Sequence, residues 1–368
     1  MAELLKNVYN QQFFNEFIVA IKKVLPEFDE TTFLKNIYDD EWEQRELKQR
    51  MRHIVLTLTS HLPEDYGNLI KLVLRIIKQL QKNGINEASF EWMFLPEFVE
   101  LYGLDDYEIS IDAFENITQF TSCEFAVRPF IIKYPKQMMS QMLLWSQHEH
   151  AMVRRLSSEG CRPRLPWAMA LPVLKEDPEP IIPILENLNF DNSESVRRSV
   201  ANNLNDISKD NPEKVIALVK KWKGKTKETD WLVKHASRTL LKQGNTEIME
   251  LFGFGSLENI RIDGFKILTP KIKIGEALQF VFELNNIGNT SSKIRLEYGL
   301  YYQKANGSLS RKVFTISEKE YSKKSTTTIS RKQPFKIITT RKLHIGLHQL
   351  SLIINGIEFE KFDFELVG

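Results

Sequence analysis

The segments PKQMMSQMLLW, residues 135–145, and PEKVIALVKKW, residues 212–222, decide the fold. Each opens on proline, continues amphipathically and places tryptophan ten residues on. Proline suits the first turn of a helix, where its missing N–H is not needed. After each tryptophan comes a short linker and then a second helix that carries a basic pair behind a valine. These are Val153-Arg154-Arg155 and Val233-Lys234-His235, with Val196-Arg197-Arg198 between them. The valines are 43 and 37 residues apart.

Helix pairs repeating near 40 residues are the mark of a HEAT-like solenoid. Each repeat stacks on its neighbours, so equivalent positions line one surface, and so do their basic residues. Upstream, YGNLIKLVLRIIKQL (66–80) keeps Leu69, Leu72, Ile76 and Leu80 on one stripe and stops at Lys82-Asn83-Gly84. Further helices are expected over 10–25, over 43–60, and from about Asp112 to a stop or kink at Pro129.

Near Gly253–Ser256 this pattern ends. Residues 277–284 and 292–303 read as strands, as do 348–354 and 357–366, the last two joined by Asn355-Gly356, a hairpin signal. Several short strands in the remaining stretch indicate an immunoglobulin-like β-sandwich. The expected organisation is multi-domain, α then β: residues 1–255 a HEAT-like helical-repeat solenoid, residues 256–368 an immunoglobulin-like sandwich.

Composition narrows the function. The 368 residues carry 50 Lys+Arg and 48 Asp+Glu, a net charge of +2. From Ser256 onward, 18 basic residues against 11 acidic give +7, which leaves −5 for the part before it. Steering of a polyanion by global charge is therefore weak, and contact would rest on local basic patches. No run of 18 apolar residues occurs, so no membrane helix and no membrane partner are expected. The first residues show no secretion pattern. Cys123 and Cys161 form no disulfide framework. A cytoplasmic protein is the natural expectation.

The segment VRRLSSEGCRPRLPWA (153–168) holds the chemistry. Arg154, Arg155, Arg197, Arg198, Lys234 and Arg238 ride the repeated second helices, with Arg162 and Arg164 on the loop after the first of them. Singly, each is ordinary solvated surface. Together they make a phosphate track, to which Ser157, Ser158, Ser195, Ser199, Asn202 and Asn203 would add neutral contacts. Glu159 is expected at a helix C-terminus, since Gly160 follows and Pro163 blocks continuation. Its plain role is a salt bridge to a neighbouring arginine; its functional role is a carboxylate held beside a bound polyanion. Glu124, in SCEFAVR (122–128), reads as helical, with Arg128 as its i,i+4 partner. Trp167 follows Pro166 at an expected helix start and lies outside the repeat frame. His148-Glu149-His150 splays its two histidines on a helix, so no metal site is expected. No phosphate loop or CxxC pair appears, and no cofactor is called for.

VRRLSSEGCRPRLPWA, SVRRSVANNLNDISKDNPE (195–213) and the terminal sandwich together resemble the AlkC branch of the AlkD/AlkC DNA glycosylases, over nearly the whole chain. The resemblance implies HEAT-like repeats that wrap double-stranded DNA, a β domain that assists, and excision of alkylated bases, N3-methyladenine and N3-methylcytosine above all. It implies that the damaged base is not drawn into a deep pocket. It puts the active-site carboxylates on Glu124 and Glu159 and the aromatic on Trp167. The expected enzyme is a monomeric, monofunctional glycosylase without cofactor. A base methylated at N3 is cationic and a good leaving group, and its departure builds positive charge on the sugar. Carboxylates stabilise that charge and orient water. Two such glutamates would repel each other, and a cationic lesion would relieve the repulsion where a neutral base would not. Two rivals remain on sequence grounds: a non-enzymatic HEAT scaffold, and a DNA-binding damage sensor that releases no base.

Overall fold

The computed structural model describes residues 4–85, 90–337 and 342–368. Helices occupy the chain as far as Leu251 and strands begin at Ile260. Among the described residues no helix is long and apolar enough to cross a membrane. The chain forms two compact units. One contains residues up to 211 together with 224–236; the other contains 212–223 together with 237–368. The helices Pro212–Trp222, Arg238–Gln243 and Thr246–Leu251 therefore group with the strands.

In the first unit the expected helices form with small shifts. Asn10 caps Gln11–Val24 through its side chain, and Tyr66–Lys82 stops at Gly84, whose φ of 92° only glycine adopts freely. The segment before Ser60 splits. Trp42–Gln44 is a single 3₁₀ turn, and Leu47–Thr59 starts afresh behind a capping box of Glu46 and Gln49.

Pro129 corrects an expectation. The helix Tyr107–Thr118 ends well before it, and Pro129 instead sits in the first turn of a new helix, Arg128–Lys133. Its lack of an N–H is tolerated there, so it starts a helix rather than ending one. The repeat reading holds in detail. Pro135–Trp145 and Pro212–Trp222 are both helices with their tryptophans buried, and Val153, Val196 and Val233 are all fully buried. The helices Ala151–Glu159, Glu194–Ile207 and Lys227–Ala236 that carry these valines stack in series.

The strands are β1 (Ile260–Ile267), β2 (Lys271–Lys273), β3 (Ala277–Asn286), β4 (Ser292–Gln303), β5 (Leu309–Tyr321), β6 (Ser325–Pro334), β7 (Gly346–Ile354) and β8 (Ile357–Val367). They make a three-stranded sheet ordered β1-β3-β6 and a five-stranded sheet ordered β2-β8-β7-β4-β5. All pairs are antiparallel except β2 with β8. Leu278, Phe280, Phe282 and Leu284 from β3 meet Leu296, Leu300, Leu350 and Phe364 in one core. Asn355 and Gly356 both have positive φ (46° and 80°), the turn that a two-residue hairpin requires.

Within this unit the helices close tightly on the strands. A Cβ on Gly244 would come within 2.7 Å of the Gly356 carbonyl oxygen. Lys293 Nζ donates to the Phe252 carbonyl at 2.8 Å, and Asn355 Nδ2 to that of Gly255 at 3.0 Å.

Candidate active site

Glu159 is the last residue of the helix Ala151–Glu159. Gly160 follows because the backbone there passes close to Val127: a Cβ would lie 2.7 Å from Val127 Cγ2. Glu124 is not helical. It lies on the turn before Arg128–Lys133, and Arg128 is not its partner. Arg155 takes that role, with NH1 donating to Glu124 Oε2 at 2.9 Å. Trp167 also departs from expectation, since the next helix starts only at Pro172. Trp167 sits on a turn with φ of 63° and is 66% exposed. A bulky residue held in the left-handed region costs about 1–3 kcal/mol and persists only where its surroundings fix it.

The charged side chains form a ladder of alternating sign. Arg155 bonds Glu124 and reaches within 3.9 Å of Glu159. Arg162 NH1 donates to Glu159 Oε1 at 2.5 Å, and Arg162 Nε to Asp206 Oδ2 at 2.9 Å. Lys209 closes the series on Asp206 Oδ1 at 3.0 Å. Burial opposes the charge of Arg162, but Glu159 and Asp206 outweigh it and hold its guanidinium above the ordinary arginine value. The expected repulsion between the two glutamates is thus already compensated, because Arg155 stands between them. Among the described contacts, every hydrogen bond to Glu159 falls on Oε1 and every one to Glu124 on Oε2. The other oxygen of each can accept from water or face a developing cation.

Two concavities meet at Glu159. One, about 340 Å³, is lined by both glutamates, by Lys48 and Arg162, and by an apolar wall that includes Met51, Phe125, Leu165 and Trp167. The other is open, about 390 Å³, and is lined by Arg155, Glu159, Glu194, Ser195, Arg198 and Asn202, with Ser199 at its base. A carboxylate with an oxygen to spare, beside an apolar wall and an exposed indole, suits a developing cation. The arginines around it suit phosphates.

Residues 30–240 match the family model described as "DNA alkylation repair enzyme". The chain belongs to that family. Residues 261–368 match the model of the C-terminal Ig-like domain of the uncharacterised protein YhaZ. YhaZ of Bacillus subtilis (strain 168) is 40% identical over 366 residues, covering 100% of both chains. The alkylpurine DNA glycosylase AlkC of Pseudomonas fluorescens, solved bound to DNA containing an abasic site analogue, is 34% identical, with a TM-score of 0.92 and full coverage of both chains.

In this alkylation repair enzyme the sequence-predicted basic residues divide by task. Arg155 and Arg198 reach the open concavity. Arg154 NH1 instead reaches back to the His148 and Glu149 carbonyls, and its Nε and NH2 bond Asp191. Arg197 NH1 does the same with the Asp191 and Asn192 carbonyls. Arg164 pairs with Asp210, Lys234 lies in the last turn of Lys227–Ala236, and Arg238 opens a helix of the second unit.

Four polar residues expected on the surface are interior. Ser157, Ser158, Ser199 and Asn203 are buried; Ser158 and Ser199 bond each other at 2.7 Å, and Asn203 donates to the Ser158 carbonyl. Ser158, Ser199 and Asn203 join two repeat helices, and Ser157 donates to the Arg154 carbonyl of its own helix. Cys161 is buried, and burial pushes its thiol up to about 12, which removes it as a nucleophile. His150 caps the helix Ala151–Glu159 through Nδ1. Sequence reasoning missed Asp206, Lys48 and Phe125, and gave Arg128 the wrong partner. Only Asp206 had a signal, as an acid inside the long motif at 195–213.

Proposed function

We propose that the protein is a DNA glycosylase that hydrolyses the N-glycosidic bond of cationic alkylated bases, N3-methyladenine and N3-methylcytosine, in double-stranded DNA. The observation that carries this reading is the ladder Glu124–Arg155–Glu159–Arg162–Asp206, whose Glu124, Glu159 and Arg162 line an apolar hollow. A cationic base needs no general acid to depart. As its bond to the sugar stretches, positive charge builds on the ring, and the unoccupied oxygens of Glu159 and Glu124 face that charge and hold the attacking water. The water's oxygen bonds to the anomeric carbon, its proton passes to a carboxylate, and the base leaves with the bonding pair. No amine enters the step, so the product is an abasic site and the enzyme is monofunctional. Trp167 stacks on the sugar or the cationic base, worth about 0.5–2 kcal/mol. Arg155 and Arg198 offset the repulsion between these carboxylates and the phosphates. The AlkC structure with abasic-site DNA supports the same reading by similarity along the full chain. The protein acts as a monomer in the cytoplasm, without cofactor.

Glutamates occupied by arginines are also what a non-enzymatic scaffold would hold. Release of methylated bases from alkylated duplex DNA by the wild type and by Glu159→Gln separates the two. The glycosylase reading requires release by the wild type and its loss in the variant with DNA binding kept. A wild type that binds but releases nothing leaves the damage sensor standing.

A further inference from the structure

We infer that Arg128 and Lys48 are positioning residues that clamp the Gly160–Met169 loop from two sides and so fix Trp167 and Arg162 for the reaction proposed above. The inference rests on that reading for its kinetic consequence, not for its geometry.

Arg128 is fully buried. The other buried arginines described, Arg50, Arg162 and Arg295, each meet a carboxylate. Arg128 meets none. Its NH1 donates to the Gly160 and Arg162 carbonyls, both at 2.9 Å, and its Nε to the Met169 carbonyl at 2.7 Å. Burial lowers its pKa to about 10. A cation is expensive to bury without a counter-charge, so something must depend on it. What depends on it is both ends of one loop: residues 160 and 162 at the start, 169 at the finish.

Lys48 holds the middle. It comes from the first turn of Leu47–Thr59, and its Nζ donates to the Trp167 carbonyl at 3.1 Å while lying 4.4 Å above the Phe125 ring. Trp167 is the one residue of the loop with positive φ. A backbone in that region relaxes unless it is held, and Lys48 and Arg128 hold the carbonyls at and just beyond it. The segment SCEFAVR (122–128) thereby serves in three ways. Glu124 joins the charge ladder, Phe125 seats Lys48, and Arg128 secures the loop that carries Arg162 and Trp167.

The test uses the full chain with 5-fluorotryptophan, the Trp167 signal being assigned with Trp167→Phe. The variants are Lys48→Met, Lys48→Arg and Arg128→Lys. Lysine at 128 keeps the charge but cannot span three carbonyls. The expected result for Lys48→Met is a broadened or split Trp167 resonance and a single-turnover excision rate lower by about 10-fold or more, with affinity for abasic-site DNA within about 3-fold. Lys48→Arg, which can still donate to the Trp167 carbonyl, restores both readouts. Arg128→Lys behaves as Lys48→Met; if it does not fold, the partly exposed Lys48 variants carry the test. An unmoved Trp167 resonance in Lys48→Met overturns the clamp, as does a loss that Lys48→Arg fails to restore. The fluorine signal needs no substrate. A wild type that releases no base therefore sinks the glycosylase reading and leaves the clamp to be judged on the resonance alone.

Discussion

The helices Ala151–Glu159 and Glu194–Ile207 begin alike and end differently. Both carry valine-arginine-arginine, at 153–155 and 196–198, and in both the valine is buried and the first arginine reaches back to carbonyls six and five residues upstream. The second arginines part company. Arg155 is drawn in between Glu124 and Glu159, while Arg198 stays exposed, paired with Glu194 one turn away and lying 6.0 Å from the Trp231 ring. Six residues past each valine stand Glu159 in the first helix and Asn202 in the second, both lining the open concavity. The first helix then stops at Gly160 and releases the loop to Trp167, where the second runs on to Ile207. The repeat thus supplies scaffold with its first arginine. Chemistry enters where one copy breaks the pattern with a carboxylate and an early stop.

This contrast can be broken most sharply at Glu159. Glu159→Gln makes the first helix resemble the second at that position; single-turnover excision should fall about 10²–10⁴-fold, with binding to abasic-site DNA preserved. Asn202→Ala should change excision by less than about 3-fold in the same assay, because a neutral amide does not meet the developing charge. Next in size is the scaffold role. Arg154→Met strands Asp191 as well as two carbonyls and should cost roughly 2–4 kcal/mol by denaturant unfolding, whereas Arg197→Met loses only the carbonyl ties and should cost about 1 kcal/mol. Equal losses would mean that the Asp191 pair contributes nothing. The second arginines differ in the same way, and the exposed one gives the smallest stability effect. Arg155→Met should cost about 1–3 kcal/mol because two acids are left facing each other, and the exposed Arg198→Met less than about 0.5 kcal/mol. Arg198→Met should still lower the slope of log affinity against log salt by about one, read from DNA binding across a salt titration. A slope unchanged from wild type would remove Arg198 from the phosphate track.

The repeats were legible because burial imposes periodicity. Val153, Val196 and Val233 had to recur if the helices stack, and Trp145 and Trp222 mark the buried ends of their helices. In the sandwich, β3, β4, β7 and β8 were visible because they alternate core with surface or run apolar. β5 and β6 were not, because Ser310, Arg311, Lys312 and most of residues 325–333 are polar on both faces. Glu159 at a helix end could be read from Gly160 and Pro163. Its neighbours across the fold could not. Arg155 adds the distant Glu124 to its local partner Glu159, and Arg128 abandons Glu124 for three carbonyls 32–41 residues on. Such choices are made by tertiary distance, which spacing along one chain does not encode. Pro129 misled for a related reason: proline is equally at home stopping one helix and starting the next.

The glycine seam between residues 244 and 356 has a practical consequence for anyone who would study the strands alone. The change from helix to strand invites a cut at Ser256, but that cut would bare the Gly356 backbone and strip Lys293 and Asn355 of their acceptors at Phe252 and Gly255. A fragment that starts upstream of Ser237 keeps those partners, and with them the lid that shields the hairpin tip from solvent and from proteases.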